Sequence, residues 1–401
     1  MSELKALMIA PAPAVVDGPD IYLDTKFATG MTVQANFFPG QFDCLLRRFT
    51  GTIPFGTTRY DPETANFGLK VIEADAPITV ADLAGYDIIQ CSADDDRNLA
   101  LEPLLRGTEA RLAGTLEYTL ATRLDINAAE QGRNWPRRLV RNLRLRLRHR
   151  KRLRFLAEMD SLQANGYPAL GLCSHYDPGC LLYLDNRMTP RLFATKDDMA
   201  ARRDHLLSDA PLRLMFSGRL EAMKGAQDLI PVARMLRKKD VPFSLDIFGT
   251  GSLESRIAAD IARYDLAGQV TLHEPVDFES ELVPHMRWNA DVFLCCHRQA
   301  DPSCSYIEAM ACGLTVAGFD NEMWAALREA SRGGAVAPMG NHAALAERVA
   351  QMHRNRAGTA QTCEQALDFA RGHGFEELSA RRMASCPDCR RLREDLSSPS
   401  C

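Results

Sequence analysis

A chain of 401 residues exceeds what a single hydrophobic core usually serves, so two domains are expected. The make-up, 46% hydrophobic and 25% charged, is that of an ordinary globular protein. A net charge of -4 excludes a global attraction to nucleic acid, and no run of about 18 apolar residues occurs that would span a bilayer.

The apolar part of residues 1–11 is too short for a signal peptide and reads as a buried first strand ending in a Pro-rich loop. A cytoplasmic protein is expected, with reduced thiols in place of a disulfide framework for its 12 cysteines. Cys91, Cys295, Cys296 and Cys312 sit in apolar runs and read as small core residues. Cys386 and Cys389 form the one CxxC. With His373 and Cys401 they make a zinc site on paper, but without a second ligand pair at zinc spacing the segment reads as a surface tail.

In the first half, strands are expected at 4–9, 42–49, 69–74 and 86–91, with mixed segments between them. A polar, charged stretch at 195–210 marks the expected boundary. This gives domains at 1–200 and 205–370, with a C-terminal helix and tail at 371–401. Beyond the boundary, strands at 212–217, 243–248, 270–273, 291–296, 314–319 and 335–337 alternate with helices. Leu229, Val232, Ala233 and Leu236 fall at i, i+3, i+4 and i+7 in one of these. The pattern predicts an α/β fold with parallel sheets, which bind ligands in the loops at the carboxyl ends of their strands.

Three such loops carry suitable chemistry. After 212–217 come Gly218, Arg219 and Lys224 at a helix entrance, either a diphosphate site assisted by the helix dipole or a solvated loop. After 243–248 come Gly249 and Gly251, a GxG without the third glycine of the dinucleotide fingerprint, which serves equally as a tight turn. The third loop runs from Asp301 through Pro302, Ser303 and Cys304 into a short helix ending at Gly313. Glu308 in that helix would be costly to bury unless paired or bound to a ligand hydroxyl.

Together these segments resemble the retaining glycosyltransferases of family 4, within the GT-B fold. That family's pattern runs from a strand into Gly-Arg-Leu and Lys-Gly, through a GxG loop, to a paired-glutamate motif ending in Glu-Ala-Met-Ala-Cys-Gly. The match covers residues 212–352. The resemblance implies two Rossmann-like domains facing across a cleft, and a transferase of EC 2.4 class. Arg219 and Lys224 would hold the donor diphosphate, Glu308 the ribose hydroxyls, and Gly218, Gly249, Gly251 and Ser303 the rest of the nucleotide sugar. The position eight residues before Glu308 is Ala300, so the motif's first glutamate is missing, and Asp301 is expected to take over its contacts with the sugar. The Asp-Pro-Ser-Cys loop looks like that of a subgroup associated with bacterial surface polysaccharides.

The first half departs further from the pattern, because its first histidine is His149, inside a basic run. Glu117 is the candidate for the catalytic position there, or else a structural carboxylate. A loop at 26–31 is a weaker candidate for approaching the phosphate or acceptor. No cofactor beyond the donor substrate and no metal is implied, since cations already serve the diphosphate. Asp185, Asn186 and Arg187 make no metal motif.

Residues 137–154 hold ten Arg or Lys and no acid, with Leu139, Val140, Leu143, Leu147 and Leu153 interleaved. The early part suits a helix face and the alternation at 144–148 also suits a strand. Contact with an anionic membrane surface is expected, with the protein peripheral on the inner face and a saccharide or lipid-linked acceptor. Nucleic acid is not an expected partner, as no reading module accompanies the charge. The alternatives are a non-catalytic scaffold that binds nucleotide sugars, or a sugar-nucleotide epimerase or disaccharide synthase on the same fold.

Overall fold

A computed structural model describes residues 3–53, 56–131, 134–387 and 389. The chain forms two compact units. The first comprises Met1–Leu120, Leu139–Tyr183 and the chain from Glu376, and the second comprises Ala121–Arg138 and Leu184–Phe375.

The first unit is built on a nine-stranded sheet: β1 (Leu4–Asp17), β2 (Asp20–Asp24), β3 (Gly40–Arg48), β4 (Thr57–Tyr60), β5 (Gly68–Ile72), β6 (Ile88–Ser92), β7 (Arg111–Leu116), β8 (Ser161–Asn165) and β9 (Leu181–Tyr183). The order β5-β3-β1-β6-β7-β8-β9 is parallel throughout, and β2 and β4 add an antiparallel flap to the far end of β1. The Pro-rich loop expected after residue 9 is instead a continuation of β1 to Asp17. Its pairing with β6 ends at Ile9, and its register with β3 shifts between Ile9 and Pro13. Pro11 therefore stands where the ladder is interrupted and a missing N–H is tolerated, and Pro13 where pairing with β3 resumes opposite Arg47.

β7 and β8 were not legible as strands. All of β8 (SLQAN) is buried, polar residues included, because both of its faces are covered. The amide of Gln163 donates to the Arg382 carbonyl (2.8 Å) and Ser385 Oγ (2.9 Å), so a buried glutamine is satisfied by a segment more than 200 residues away. That segment is no surface tail: Cys386 and Cys389 are buried in an apolar cluster with Met383 and Phe42. Cys401, the remaining ligand of the paper zinc site, lies outside the described residues. The expected loop at 26–31 belongs to the helix Thr25–Phe37, whose first turn is capped by Asp24 accepting from the Phe27 amide at 2.9 Å.

The second unit holds β10 (Leu212–Ser217), β11 (Phe243–Phe248), β12 (Val270–His273), β13 (Val292–Cys295), β14 (Thr315–Phe319) and β15 (Gly334–Ala337). These match the six expected strands to within a residue or so. They form one parallel sheet in the order β12-β11-β10-β13-β14-β15, the Rossmann order of 3-2-1-4-5-6. The chain leaves β10 toward one side of the sheet and returns as β13 on the other, so the crevice at their carboxyl ends is the topological switch point.

The polar stretch taken for a boundary is the helix Lys196–Leu207, inside the second unit, and the units change at Tyr183–Leu184. Two of its charges, Asp198 and Arg202, are turned inward. Thr195 and Asp198 form a capping box, and Asp198 also takes Arg287 and the Trp288 indole. Arg202, 2% exposed, donates to the carbonyls of Met286, Arg287, Ala290 and Cys312. A charge pattern alone cannot distinguish such inward-tied groups from a solvated linker.

Candidate functional site

The switch point gathers the loops after β10 and β13. Gly225, at φ 66°, sits where a Cβ would lie 1.7 Å from the Cys296 carbonyl oxygen, so only glycine lets the two loops touch. That approach carries Lys224, 8% exposed, to Asp301, 6% exposed, and the two form a buried ion pair. Burial pushes the Asp301 carboxyl up, but the Lys224 ammonium more than offsets this and holds it below the usual carboxylate range. Asp301 Oδ1 is buried with no hydrogen-bond partner. His297 lies in the same loop. Burial, with the Lys224 charge beside it, pulls its imidazole down to about 3, so the ring is neutral and its Nδ1 lacks a partner.

The loop after β11 is stitched to the loop after β10. The Gly218 amide donates to the Phe248 carbonyl (3.1 Å), the Leu220 amide to Thr250 (2.9 Å) and the Leu253 amide to Leu220 (2.9 Å). A Cβ on Gly249 would fall 2.0 Å from the Gly218 oxygen. The GxG thus has a structural task, close backbone packing of two loops, whatever it also binds. Ser252 donates to Glu221 through its amide (2.8 Å) and hydroxyl (2.6 Å), which lowers the Glu221 pKa. Arg219 is exposed on this loop, its Nη2 3.8 Å from Met223 Sδ.

Ser303 stands at the N-cap position of the helix Cys304–Ala311, but its hydroxyl pairs with that of Ser305 at 2.8 Å and caps no helix amide. Tyr306, stacked on Trp324 at 5.5 Å, pins the helix, and Asn321 bridges Tyr306 to the His297 carbonyl. Glu308, 5% exposed, is held by Arg187, whose Nε and Nη2 donate to its two oxygens at 2.9 and 3.3 Å. The Arg187 guanidinium lies 3.6 Å over the Phe278 ring.

Lys224 and Asp301 therefore meet directly. Glu308 is engaged by Arg187, which sequence patterns did not single out because it lies 121 residues away. His297 and Glu221 were not singled out either; only their nearness to the loops could have signalled them.

Glu117 belongs to the first unit, just past the end of β7. Its amide donates to Asp94 after β6 (2.7 Å), and Asn165 at the end of β8 donates to its Oε2 (3.3 Å). It thus occupies the carboxyl edge of its own sheet. Among the described residues, no group of three or more His, Cys, Asp or Glu is placed to hold a metal ion.

A sequence profile of the family described as glycosyl transferases group 1 matches residues 197–369. A D-inositol 3-phosphate glycosyltransferase of Pseudarthrobacter chlorophenolicus is 32% identical over 120 residues, 29% of this chain and 28% of that relative. The chain thus spans under a third of the length of the curated relative it matches. Two solved structures share the fold along nearly all of the chain. Anabaena HepE in complex with UDP has a TM-score of 0.65 at 14% identity, covering 98% of this chain and 100% of that one. Sucrose-phosphate synthase from Thermosynechococcus elongatus has 0.65 at 17%, with the same coverage.

The fold is accordingly GT-B, with two Rossmann-like units. Residues 197–369, the greater part of the second unit, are the stretch similar to the glycosyl transferases group 1 family.

Proposed function

We propose that the protein is a glycosyltransferase of EC 2.4 class that moves a sugar from a nucleotide-diphosphate sugar to a saccharide or lipid-linked acceptor. The observation that carries this reading is the buried Lys224–Asp301 pair at the switch point. A diphosphate arriving there takes the ammonium, with Arg219 swinging in from the loop tip, and the two cations stabilise the charge that develops on the leaving nucleotide. No metal is needed for that task. Asp301, released from Lys224, turns its oxygens to the sugar hydroxyls, the contacts its motif's missing first glutamate would have made.

Glu308, oriented by Arg187, keeps lone pairs for the ribose hydroxyls. Gly218, Gly249, Gly251 and Ser303 line the approach. The second unit takes the donor and the first the acceptor, where Glu117 is the catalytic candidate. The family-4 pattern supports retention of anomeric configuration, in synthesis of a surface polysaccharide or glycoconjugate at the inner face of the membrane.

Thermal-shift and calorimetric titration of the purified protein with UDP-, GDP- and ADP-sugars tests the donor site. Stabilisation by one nucleotide family, lost in Lys224→Ala, is expected. A wild-type protein that binds none of them would overturn the reading in favour of a scaffold.

A further inference from the structure

The Arg-rich segment is one helix, Trp135–Ala157, and five of its large apolar residues are exposed. Arg152 and Leu156 are buried, and Asn142, Leu145 and His149 are half-buried at the matching helical spacing, which defines the packed face. Arg152 donates to the Ala93 carbonyl (2.6 Å) and to Asp96 (2.6 Å), which also takes Arg148 at 2.8 Å. On the opposite face Leu139, Leu143 and Leu147 recur at i, i+4 and i+8 with Val140 beside them, between 52% and 63% exposed. Trp135, one turn earlier, is 66% exposed. Eleven large apolar side chains are exposed among the described residues, and five of them fall on this face, so the patch is concentrated rather than scattered.

The cations share that outer side. Arg144, Arg146, Arg150 and Lys151 are exposed between and beside the leucines, and no acid occurs from 137 to 154 in a chain whose net charge is -4. We propose that this face is a docking surface for an anionic lipid bilayer. The helix lies in the interfacial plane, with Trp135, Leu139, Leu143 and Leu147 at the acyl boundary and the arginines on lipid phosphates. Phosphate attraction alone would equally suit nucleic acid, but the exposed leucine stripe has no use there and a direct use in lipid. The surface deepens the glycosyltransferase reading, on which its purpose rests: it would hold the enzyme where a lipid-linked acceptor is found. The docking itself does not require turnover.

Flotation of the full chain with vesicles of phosphatidylcholine, alone or with about a third phosphatidylglycerol, tests it. Binding at least about tenfold tighter to the anionic vesicles, and weakening with salt, is expected. Leu143→Ser with Leu147→Ser should lower that binding about tenfold at unchanged charge. Arg144→Gln, Arg146→Gln and Arg150→Gln together should remove the preference for anionic lipid. Because these side chains are exposed, melting temperature and circular dichroism should stay at wild-type values in both variants. Equal binding to neutral and anionic vesicles, or serine variants that bind as wild type, would overturn the proposal. So would tighter binding to a mixed-sequence DNA duplex that ignores the serine substitutions. Wild-type docking without binding of any nucleotide sugar would sink the donor reading and leave the docking surface standing.

Discussion

The proposed donor site gives Lys224 a second task beside its pairing with Asp301, and the two can be separated. Replacing it by alanine leaves the Asp301 carboxylate buried without its partner, which costs about 3–5 kcal/mol. Adding Asp301→Asn removes the stranded charge and should restore most of that loss, as read from urea midpoints. Donor binding measured by calorimetry should stay absent in both variants, since the cation proposed for the phosphate is missing in each. Gly225→Ala makes a sharper local test. With φ at 66° and a Cβ 1.7 Å from the Cys296 oxygen, it should destabilise by about 1–3 kcal/mol or more and loosen the proposed donor site. The residue types at these positions were readable as motifs. Their pairing was not, because Lys224 was assigned to a phosphate and Asp301 to a sugar, and nothing in the spacing says that they meet.

At the scale of elements, β13 is fastened at its start by Asp291, which is fully buried and accepts from the Arg213 amide (3.0 Å), Nε (3.2 Å) and Nη2 (2.7 Å). Burial pushes its carboxyl up, but His205 and Arg213 outweigh that and lower it from 3.8 to about 2. A depressed carboxyl contributes stability that is present above its unfolded value and lost as pH falls through its folded value. The pair should therefore supply about 2 kcal/mol above pH 4 and lose it toward pH 2. Urea midpoints of wild type and Asp291→Asn should differ at neutral pH and converge in acid. The helix Lys196–Leu207 depends on its capping box, and Thr195→Ala should cost about 1 kcal/mol on the same assay. The six strands of the second unit were legible because each is an apolar run closed by a turn. β8 was not, since Ser161, Gln163 and Asn165 are polar residues buried by partners distant in the chain.

For the whole molecule, binding to the native state raises apparent stability by mass action. Donor at about 100 times its dissociation constant should add about 2.7 kcal/mol, seen as an upward shift in calorimetric melting. The amino-acid sequence by itself determined the α/β class, the parallel character of the second sheet and the residues of its strand-end loops. Those follow from short-range periodicity and from glycines and charges at strand ends. Tertiary structure alone decided where the units divide, which charges turn inward, what Arg187 and Lys224 hold, and which face of the Arg-rich helix is exposed. The physical reason is that burial and pairing depend on groups brought together from far along the chain. A charged side chain reads the same in sequence whether water or a buried carboxylate answers it.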